Sequence, residues 1–165
     1  MSSQRPLWAP WRIQFIKGEK EQRCFLCDKR VPDEESPEES IIIHRGKTCF
    51  VIMNRFPYNS GHLMVATYRH IGDISDISVE ERHELMDLCI DAKNTLQNAM
   101  GPEAFNVGFN LGSAAGAGVA DHLHMHIVPR WAGDTNFMPV ISDTRCVPEA
   151  IEDTAELLRR HWQKM

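Results

Sequence analysis

Residues 121–130 read DHLHMHIVPR, a stretch in which three histidines alternate with three apolar residues. Strict alternation predicts a half-buried strand, because successive side chains of a strand point to opposite faces. The apolar residues would face the core, Pro129 would end the run, and His122, His124 and His126 would share the opposite face. Packing alone explains three such side chains poorly, because imidazoles titrate near neutral pH. The sequence therefore predicts that this strand carries the functional site.

The length and charge of the chain restrict the kind of protein it can be. With 165 residues it is long enough for a substantial core, and we expect a single domain over residues 1–165. The formal net charge of −5 argues against nucleic acid as a partner, because nucleic-acid binders carry a basic footprint. An anionic small substrate would need only a local positive site.

The sequence also carries information about the cellular compartment. No apolar run approaches the length of a membrane span, so we expect no membrane partner. The first residues, MSSQRPLWAPWR, lack the apolar segment of a secretory signal. Five cysteines is an odd number and does not suit a disulfide framework. These features predict a cytoplasmic protein.

The remaining patterns predict an α+β fold with a sheet of about five antiparallel strands. β-favouring runs at residues 41–43, 49–53, 62–67 and 105–110 precede the histidine strand. Ser78 and Glu81 form a capping-box pattern ahead of a long amphipathic helix, which Gly101 and Pro102 end. A second helix is predicted over residues 148–162. We expect a meander of strands with the long helix packed on it.

Three segments lie outside or beside this core. Residues 1–20 form an N-terminal arm whose Trp8 and Trp11 either pack on the protein or a second subunit, or stack on a base. Residues 31–40 are acidic and are expected to form a solvated loop without chemistry. Residues 21–132 would be the core, and residues 133–165 a C-terminal extension.

Two further motifs have chemical potential. Cys24 and Cys27 form a C-x2-C pair, which in a reducing compartment indicates half of a metal site or a redox pair. Cys49, Cys89 and His44 are available as further ligands. The glycine-rich residues 111–118 lead into the histidine strand and could offer backbone N–H groups to phosphate oxygens.

The histidine triplet itself suits three kinds of chemistry. Two histidines at alternate strand positions can bind one metal ion together with a third ligand. An imidazole can act as a general acid or base. It can also attack phosphorus and carry the phosphoryl group as a phosphoramidate. The alternative is a set of partly buried histidines with structural roles alone, which a cluster of three on one face disfavours.

The segment HLHMHIV, residues 122–128, resembles the signature of the histidine triad (HIT) family, in which histidines alternate with apolar residues. The resemblance extends to Asn54, to Gly61-His62 and to the glycine-rich residues 110–118, and covers roughly residues 24–132. The segments LWAPWR, CFLC, FNLG and VPRWAGDTNF are similar to those of bacterial diadenosine polyphosphate phosphorylases and their hydrolase relatives.

The resemblance implies an enzyme acting on dinucleoside polyphosphates of the diadenosine tetraphosphate type. His124 would be the nucleophile that forms a nucleotidyl-histidine, His126 would bind the phosphate, and His122 would support the site. Water or inorganic phosphate would accept the nucleotide, so hydrolase and phosphorylase activities both remain open. The third triad position is His126 in this chain, whereas the family branch that transfers uridylyl groups to hexose 1-phosphates has glutamine there. Histidine at this position therefore disfavours uridylyl transfer as the activity.

The resemblance also implies binding residues and partners. Residues matching the family's ribose and phosphate contacts are Asn54, Asn110, Ser113, Gly116 and Gly118, although the loop SAAGAGVAD departs from the commonest family form. A structural zinc ion would be bound by Cys24, Cys27, His70 and His122, and the chain would form a homodimer or a higher oligomer.

Other interpretations stay open at this stage. The first is a purine nucleoside phosphoramidase, which uses the same nucleophile on a P–N bond. The second is a nucleotide-binding, zinc-stabilised interaction protein with little turnover. Arg55, Arg69 and Arg130 could steer an anionic substrate, but each is more typical of a solvated surface charge.

Overall fold

The computed structural model describes residues 24–27, 29–36, 38–135, 141 and 149–163, so the predicted N-terminal arm lies outside the described residues. Five strands form one antiparallel sheet in the order β1-β2-β3-β5-β4. The strands are β1 (Ile42–Arg45), β2 (Cys49–Met53), β3 (Leu63–Thr67), β4 (Ala104–Phe109) and β5 (His124–Arg130), and the helices are α1 (Val79–Met100) and α2 (Ile151–His161). The predicted α+β fold class is confirmed.

The topology differs from the predicted meander. Strands β1, β2 and β3 follow one another as a meander, but β5 lies between β3 and β4. The reason is the helix α1, which separates β3 from β4 in the chain. Its 22 residues span about 33 Å, so the chain does not return directly beside β3. Strand β4 therefore forms the edge of the sheet, and the histidine strand β5 is central, with a neighbour on each side.

The ends of α1 agree with the sequence prediction. The Ser78 side chain accepts a hydrogen bond from the Glu81 N–H, and the Glu81 side chain accepts one from the Ser78 N–H. Gly101 ends the helix in the left-handed conformation with φ of 59°. The predicted apolar stripe packs on the sheet, with Leu85, Leu88 and Leu96 all buried.

Strand β5 begins and ends two residues later than predicted. His122 precedes the strand, and Pro129 lies inside it, paired with Phe105 of β4. The Pro129 carbonyl faces away from β4 and accepts a hydrogen bond from Asn59. The nitrogen and the carbonyl of a strand residue point to the same side, so the Pro129 nitrogen, which has no hydrogen to donate, also faces away from β4. Because the pairing of β3 with β5 stops at Ile127, the proline removes no ladder hydrogen bond.

The C-terminal helix α2 packs against β1 and against α1. Ala155 and Leu158 of α2 are fully buried, and the ring of Trp162 stacks on His44 at a centroid distance of 4.8 Å. The predicted start of this helix at Pro148 lies outside the described residues.

Residues 31–35 of the acidic segment are exposed, as predicted for a solvated loop, but contacts at its two ends attach it to the rest of the protein. Lys29 is buried, and its ammonium group donates to Ser36 and forms an ion pair with Glu38 at 3.3 Å. These contacts fasten the segment to the sheet because the Lys29 carbonyl also accepts from Arg45 of β1.

Neither of the two helices in the described part of the chain combines the length and the apolar character that crossing a membrane requires.

Candidate active site

The three histidines of the triad are buried, with exposed fractions of 0% for His122, 6% for His124 and 7% for His126. His124 and His126 are two residues apart on β5, so their side chains share one face of the sheet. Their rings meet edge to face with centroids 4.8 Å apart. The structure therefore brings the predicted triad together, although only two of its members belong to the strand.

The hydrogen bonds of His124 determine which of its nitrogens is reactive. Nδ1 of His124 lies 2.7 Å from the carbonyl oxygen of His122. A carbonyl oxygen only accepts, so Nδ1 carries the proton and donates. In the neutral ring Nε2 then holds the lone pair, which makes it the nitrogen that can attack an electrophile.

A second chain of hydrogen bonds determines the tautomer of His126. The backbone N–H of Tyr58 donates to Nδ1 of His62 at 3.0 Å, and the Asn54 amide approaches the same nitrogen at 3.4 Å. His62 Nδ1 is therefore an acceptor, and the ring proton lies on Nε2, which donates to Nδ1 of His126 at 2.9 Å. His126 must then carry its own proton on Nε2.

Burial favours the neutral forms of His122 and His126. Desolvation, with a smaller contribution from the neighbouring His124, lowers the pKa of His126 from its ordinary value of 6.5 to about 4. Desolvation also lowers the pKa of His122, although the hydrogen bond to the Thr67 carbonyl acts in the opposite direction. His126 is therefore a neutral N–H donor near neutral pH, and not a cation.

Asn110, at the end of β4, places a second donor beside His126. Its Nδ2 lies 3.4 Å from Nε2 of His126 and 3.3 Å from the hydroxyl of Tyr58. Because Nε2 of His126 and Nδ2 of Asn110 both carry hydrogens, their approach does not satisfy either group. An anionic oxygen between them could accept from both, which is the arrangement that stabilises charge on a reacting phosphate.

The remaining predicted binding residues lie in two loops. The glycine-rich loop is exposed at Ser113, Gly116 and Gly118. The N–H of Gly116 donates to the Ser113 carbonyl at 3.0 Å, and Gly116 has a φ of 85°, which favours glycine at this position. Asn54 is half-buried, and its carbonyl oxygen accepts from the Phe56 N–H, so this side chain also shapes the loop between β2 and β3.

Four side chains near the start of β5 could hold a metal ion. The ligand atoms of Cys24, Cys27, His70 and His122 all lie within 4.8 Å of one another. Cys24 Sγ and His122 Nδ1 are 3.3 Å apart, as are Cys27 Sγ and His70 Nδ1. Sulfur and nitrogen ligands of a tetrahedral centre lie about 3.3–3.8 Å apart, so these two separations fit such a centre.

The tautomer of His122 also fits a metal site. Nε2 of His122 donates to the Thr67 carbonyl at 2.7 Å, which leaves the lone pair on Nδ1, the nitrogen that faces the cysteines. A backbone carbonyl on the second ring nitrogen is the usual support of a metal-binding histidine. The other predicted alternatives, Cys49 and Cys89, are buried in the hydrophobic core instead.

The three arginines considered as anion-steering groups are engaged elsewhere. Arg69 pairs with Glu81 at 2.6 Å, and Arg130 pairs with Asp134 at 2.6 Å. Arg55 lies 3.4 Å from the carboxylate of Glu38. Their charges therefore stabilise loops and the start of α1.

Comparison with known proteins is consistent with this geometry. The family model of the HIT domain matches residues 35–133. The chain belongs to the HIT family. One relative, the AP-4-A phosphorylase of Mycobacterium tuberculosis, is 37% identical over 164 residues, which cover 96% of this chain and 84% of the relative.

Solved structures of HIT proteins share the fold. A zinc-bound histidine triad family protein from Mycobacterium smegmatis is 26% identical, with a TM-score of 0.60 over 73% of this chain and 81% of that chain. The diadenosine triphosphate hydrolase of Plasmodium falciparum in complex with cyclomarin A is 21% identical, with a TM-score of 0.64 over 87% of this chain and 88% of that chain. The family recognised from the signature is confirmed.

Two residues of this HIT site were not among the predicted site residues. His62 is part of the resemblance to the family but has no predicted role, and no motif of the sequence indicates Tyr58. Both lie in or next to the connection between β2 and β3, and both contact His126. His126 follows His62 by 64 residues in the chain. The pairing of β3 with β5 brings them together, and no local sequence pattern reports that pairing.

Proposed function

We propose that this protein transfers a nucleotidyl group from a dinucleoside polyphosphate through a covalent intermediate on His124. One observation carries the proposal: the hydrogen bonds of the site leave a lone pair on Nε2 of His124 and a proton on Nε2 of His126. A nucleophile and a donor for the attacked phosphate thus lie on neighbouring rings of one strand face. The 37% identity to an AP-4-A phosphorylase supports the same substrate class.

The reaction would proceed in two displacements. Nε2 of His124 attacks the α-phosphorus, an N–P bond forms, and the P–O bond to the leaving nucleoside polyphosphate breaks. An acceptor oxygen then attacks the same phosphorus, the N–P bond breaks, and His124 regains its lone pair. Splitting one difficult displacement into two easier ones is the general advantage of covalent catalysis.

The other residues would stabilise charge and position the nucleotide. Nε2–H of His126 and Nδ2–H of Asn110 donate to a non-bridging oxygen of the α-phosphate, in a site from which water is largely excluded. His122 supports the nucleophile through its carbonyl oxygen. Ribose and the remaining phosphates would be bound by residues of the two loops, namely Asn54, Ser113, Gly116 and Gly118.

The acceptor is proposed to be inorganic phosphate. The support is the name of the Mycobacterium tuberculosis relative, since the triad geometry is equally compatible with water. With diadenosine tetraphosphate and phosphate, attack at the α-phosphorus releases ATP first, and phosphate then removes the adenylyl group as ADP.

Product analysis tests this proposal. The pure protein is incubated with diadenosine tetraphosphate in the presence and absence of inorganic phosphate, and the nucleotides are separated. ADP and ATP formed only with phosphate would support the phosphorylase, whereas AMP and ATP in both tubes would identify a hydrolase. Absence of any product would contradict the proposal and direct attention to phosphoramidates or to a binding function.

The metal of the Cys2His2 cluster is proposed to be zinc. Two thiolates and two neutral imidazoles are a common donor set of structural zinc sites, and the spacing of Cys24, Cys27, His70 and His122 supports this assignment. Zinc would supply cross-linking of the N-terminal segment to the start of β5. With four protein ligands it would leave no position for substrate.

We also propose that the chain forms a homodimer through β4. This strand is the edge of the sheet, and Val107 on it is 50% exposed. An open edge strand is a template for pairing with another chain.

The proposed domain organisation is a single HIT domain over residues 1–165 with its core at 21–132. The proposed compartment is the cytoplasm. This compartment is in keeping with the described cysteines, none of which is in a disulfide.

A further inference from the structure

Tyr58 lies on the side of the site that faces solvent. It belongs to the connection between β2 and β3, and 43% of it is exposed. Its ring is tilted over His62 with centroids 4.7 Å apart and over His126 with centroids 5.7 Å apart. The aromatic ring therefore covers the hydrogen bond between these two histidines on its open side.

Three different groups of Tyr58 contact the chain of hydrogen bonds that ends at His126. The backbone N–H donates to Nδ1 of His62 at 3.0 Å, which determines the tautomer of that ring. The ring packs against both histidines. The hydroxyl oxygen accepts from Nδ2 of Asn110 at 3.3 Å, and the same Nδ2 lies 3.4 Å from Nε2 of His126.

The loop that carries Tyr58 is held in place by its neighbours. The Asn59 amide donates to the Pro129 carbonyl at 3.1 Å and to Asp134 at 2.8 Å. Gly61 has a φ of 75°, and a Cβ atom there would lie 2.8 Å from the sulfur of Met100. Such close packing restricts the loop, so Tyr58 is presented to the histidines from a fixed backbone.

We infer that Tyr58 is a positioning residue of the active site, which acts on the substrate's α-phosphate through His126 and Asn110. The inference rests on the proposed function for the identity of that phosphate. The ring shields the His62–His126 hydrogen bond from water, and the hydroxyl keeps the two N–H donors pointed at the same oxygen. Without the hydroxyl, the Asn110 Nδ2–H loses its acceptor and the amide is free to rotate, so the α-phosphate is bound less tightly.

The two parts of the side chain can be separated by substitution. Tyr58→Phe removes the hydroxyl and keeps the ring, so we expect KM for diadenosine tetraphosphate to rise about threefold to tenfold, the range of one lost hydrogen bond, with kcat nearly unchanged. Tyr58→Ala removes both, and we expect kcat to fall in addition. Tyr68→Phe is the matched control, because Tyr68 is the other tyrosine of the chain and its hydroxyl donates to the Gly46 carbonyl instead.

A spectroscopic measurement on the substrate-free protein makes the test independent of turnover. Two-dimensional ¹⁵N NMR of the imidazole rings identifies the nitrogen that carries the proton. We expect the Nε2–H tautomer of His126 in the wild type, Tyr58→Phe and Tyr68→Phe. In Tyr58→Ala we expect partial tautomer averaging, because the backbone N–H of residue 58 still donates to His62 but water reaches the His62–His126 hydrogen bond. An unchanged KM in Tyr58→Phe together with an unchanged His126 tautomer in Tyr58→Ala would overturn the inference. Failure of the wild type to turn over any dinucleoside polyphosphate would instead count against the proposed function, and the NMR result would still decide whether Tyr58 positions His126.

Discussion

His62 and His126 share a buried hydrogen bond of 2.9 Å, from Nε2 of the first ring to Nδ1 of the second. The bond connects the residue before β3 to the centre of the histidine strand. Because His62 accepts from the Tyr58 backbone N–H on its other nitrogen, the direction of the bond is determined. The proton of His126 is thereby directed toward Asn110 and away from the sheet.

Substitution of His62 should therefore weaken catalysis although this ring does not meet the substrate. In His62→Ala, Nδ1 of His126 loses its donor, so the His126 proton is no longer held on Nε2, and we expect kcat to fall at least about tenfold. His62→Gln, whose amide can donate to the same nitrogen, should retain more activity than His62→Ala. Steady-state kinetics on diadenosine tetraphosphate would measure this, and equal activities of the two variants would argue against an orienting hydrogen bond.

His124→Ala should abolish turnover while nucleotide binding persists. The variant lacks the nitrogen that would form the N–P bond, so we expect kcat to fall at least about a thousandfold. The dissociation constant of a non-hydrolysable analogue, measured by calorimetry, should change only a few fold. His83→Ala serves as the control, because His83 is exposed on α1 outside the site. Wild-type turnover by His124→Ala would exclude the covalent mechanism.

The metal cluster leads to a prediction about composition and stability. The purified protein should contain about one zinc ion per chain by elemental analysis, and a strong chelator should lower its Tm. Cys27→Ser should lose the metal, because a serine hydroxyl replaces a thiolate ligand. Cys89→Ala is the control: Cys89 is buried in the core away from the cluster, so the metal content should be retained. Equal metal content in the two variants would contradict the assignment of the ligands.

Glu81 should contribute to stability only above acidic pH. The hydrogen bonds from Arg69, assisted by that from the Ser78 N–H, lower the pKa of Glu81 from 4.5 to about 2. Since the folded pKa is below the unfolded pKa, the contribution is fully present above about pH 4.5 and is lost as the pH falls toward 2. We expect it to be on the order of 2 kcal/mol, because Arg69 is half exposed.

The test of this prediction uses Glu81→Gln, which can still accept the Ser78 N–H and so keeps the capping box. Urea unfolding of both proteins between pH 2 and pH 7 would give the free energy of unfolding. The difference between the wild type and the variant should shrink as the pH falls. A difference that is constant with pH would mean that packing, and not the charge of Glu81, accounts for it.

The sequence by itself determined the secondary-structure elements and the position of the histidine cluster. Alternation around His124 predicted the histidine strand. The Ser78–Glu81 capping box and Gly101 predicted the two ends of α1. These predictions succeed because each signal depends on residues that are close in sequence and that act on the local backbone. The HIT signature added the fold, the family and the activity class, which the relatives support.

Only the tertiary structure decided which strands lie beside β5 and which ring nitrogen of His122 and of His126 carries the proton. Strand order depends on where α1 returns the chain, and a tautomer depends on the single donor or acceptor at the other ring nitrogen. Those partners are distant in sequence: the Thr67 carbonyl for His122 and His62 for His126. Alternation could place the imidazoles on one face, but the pairing of β3 with β5 determined the hydrogen-bond partners of His122 and His126.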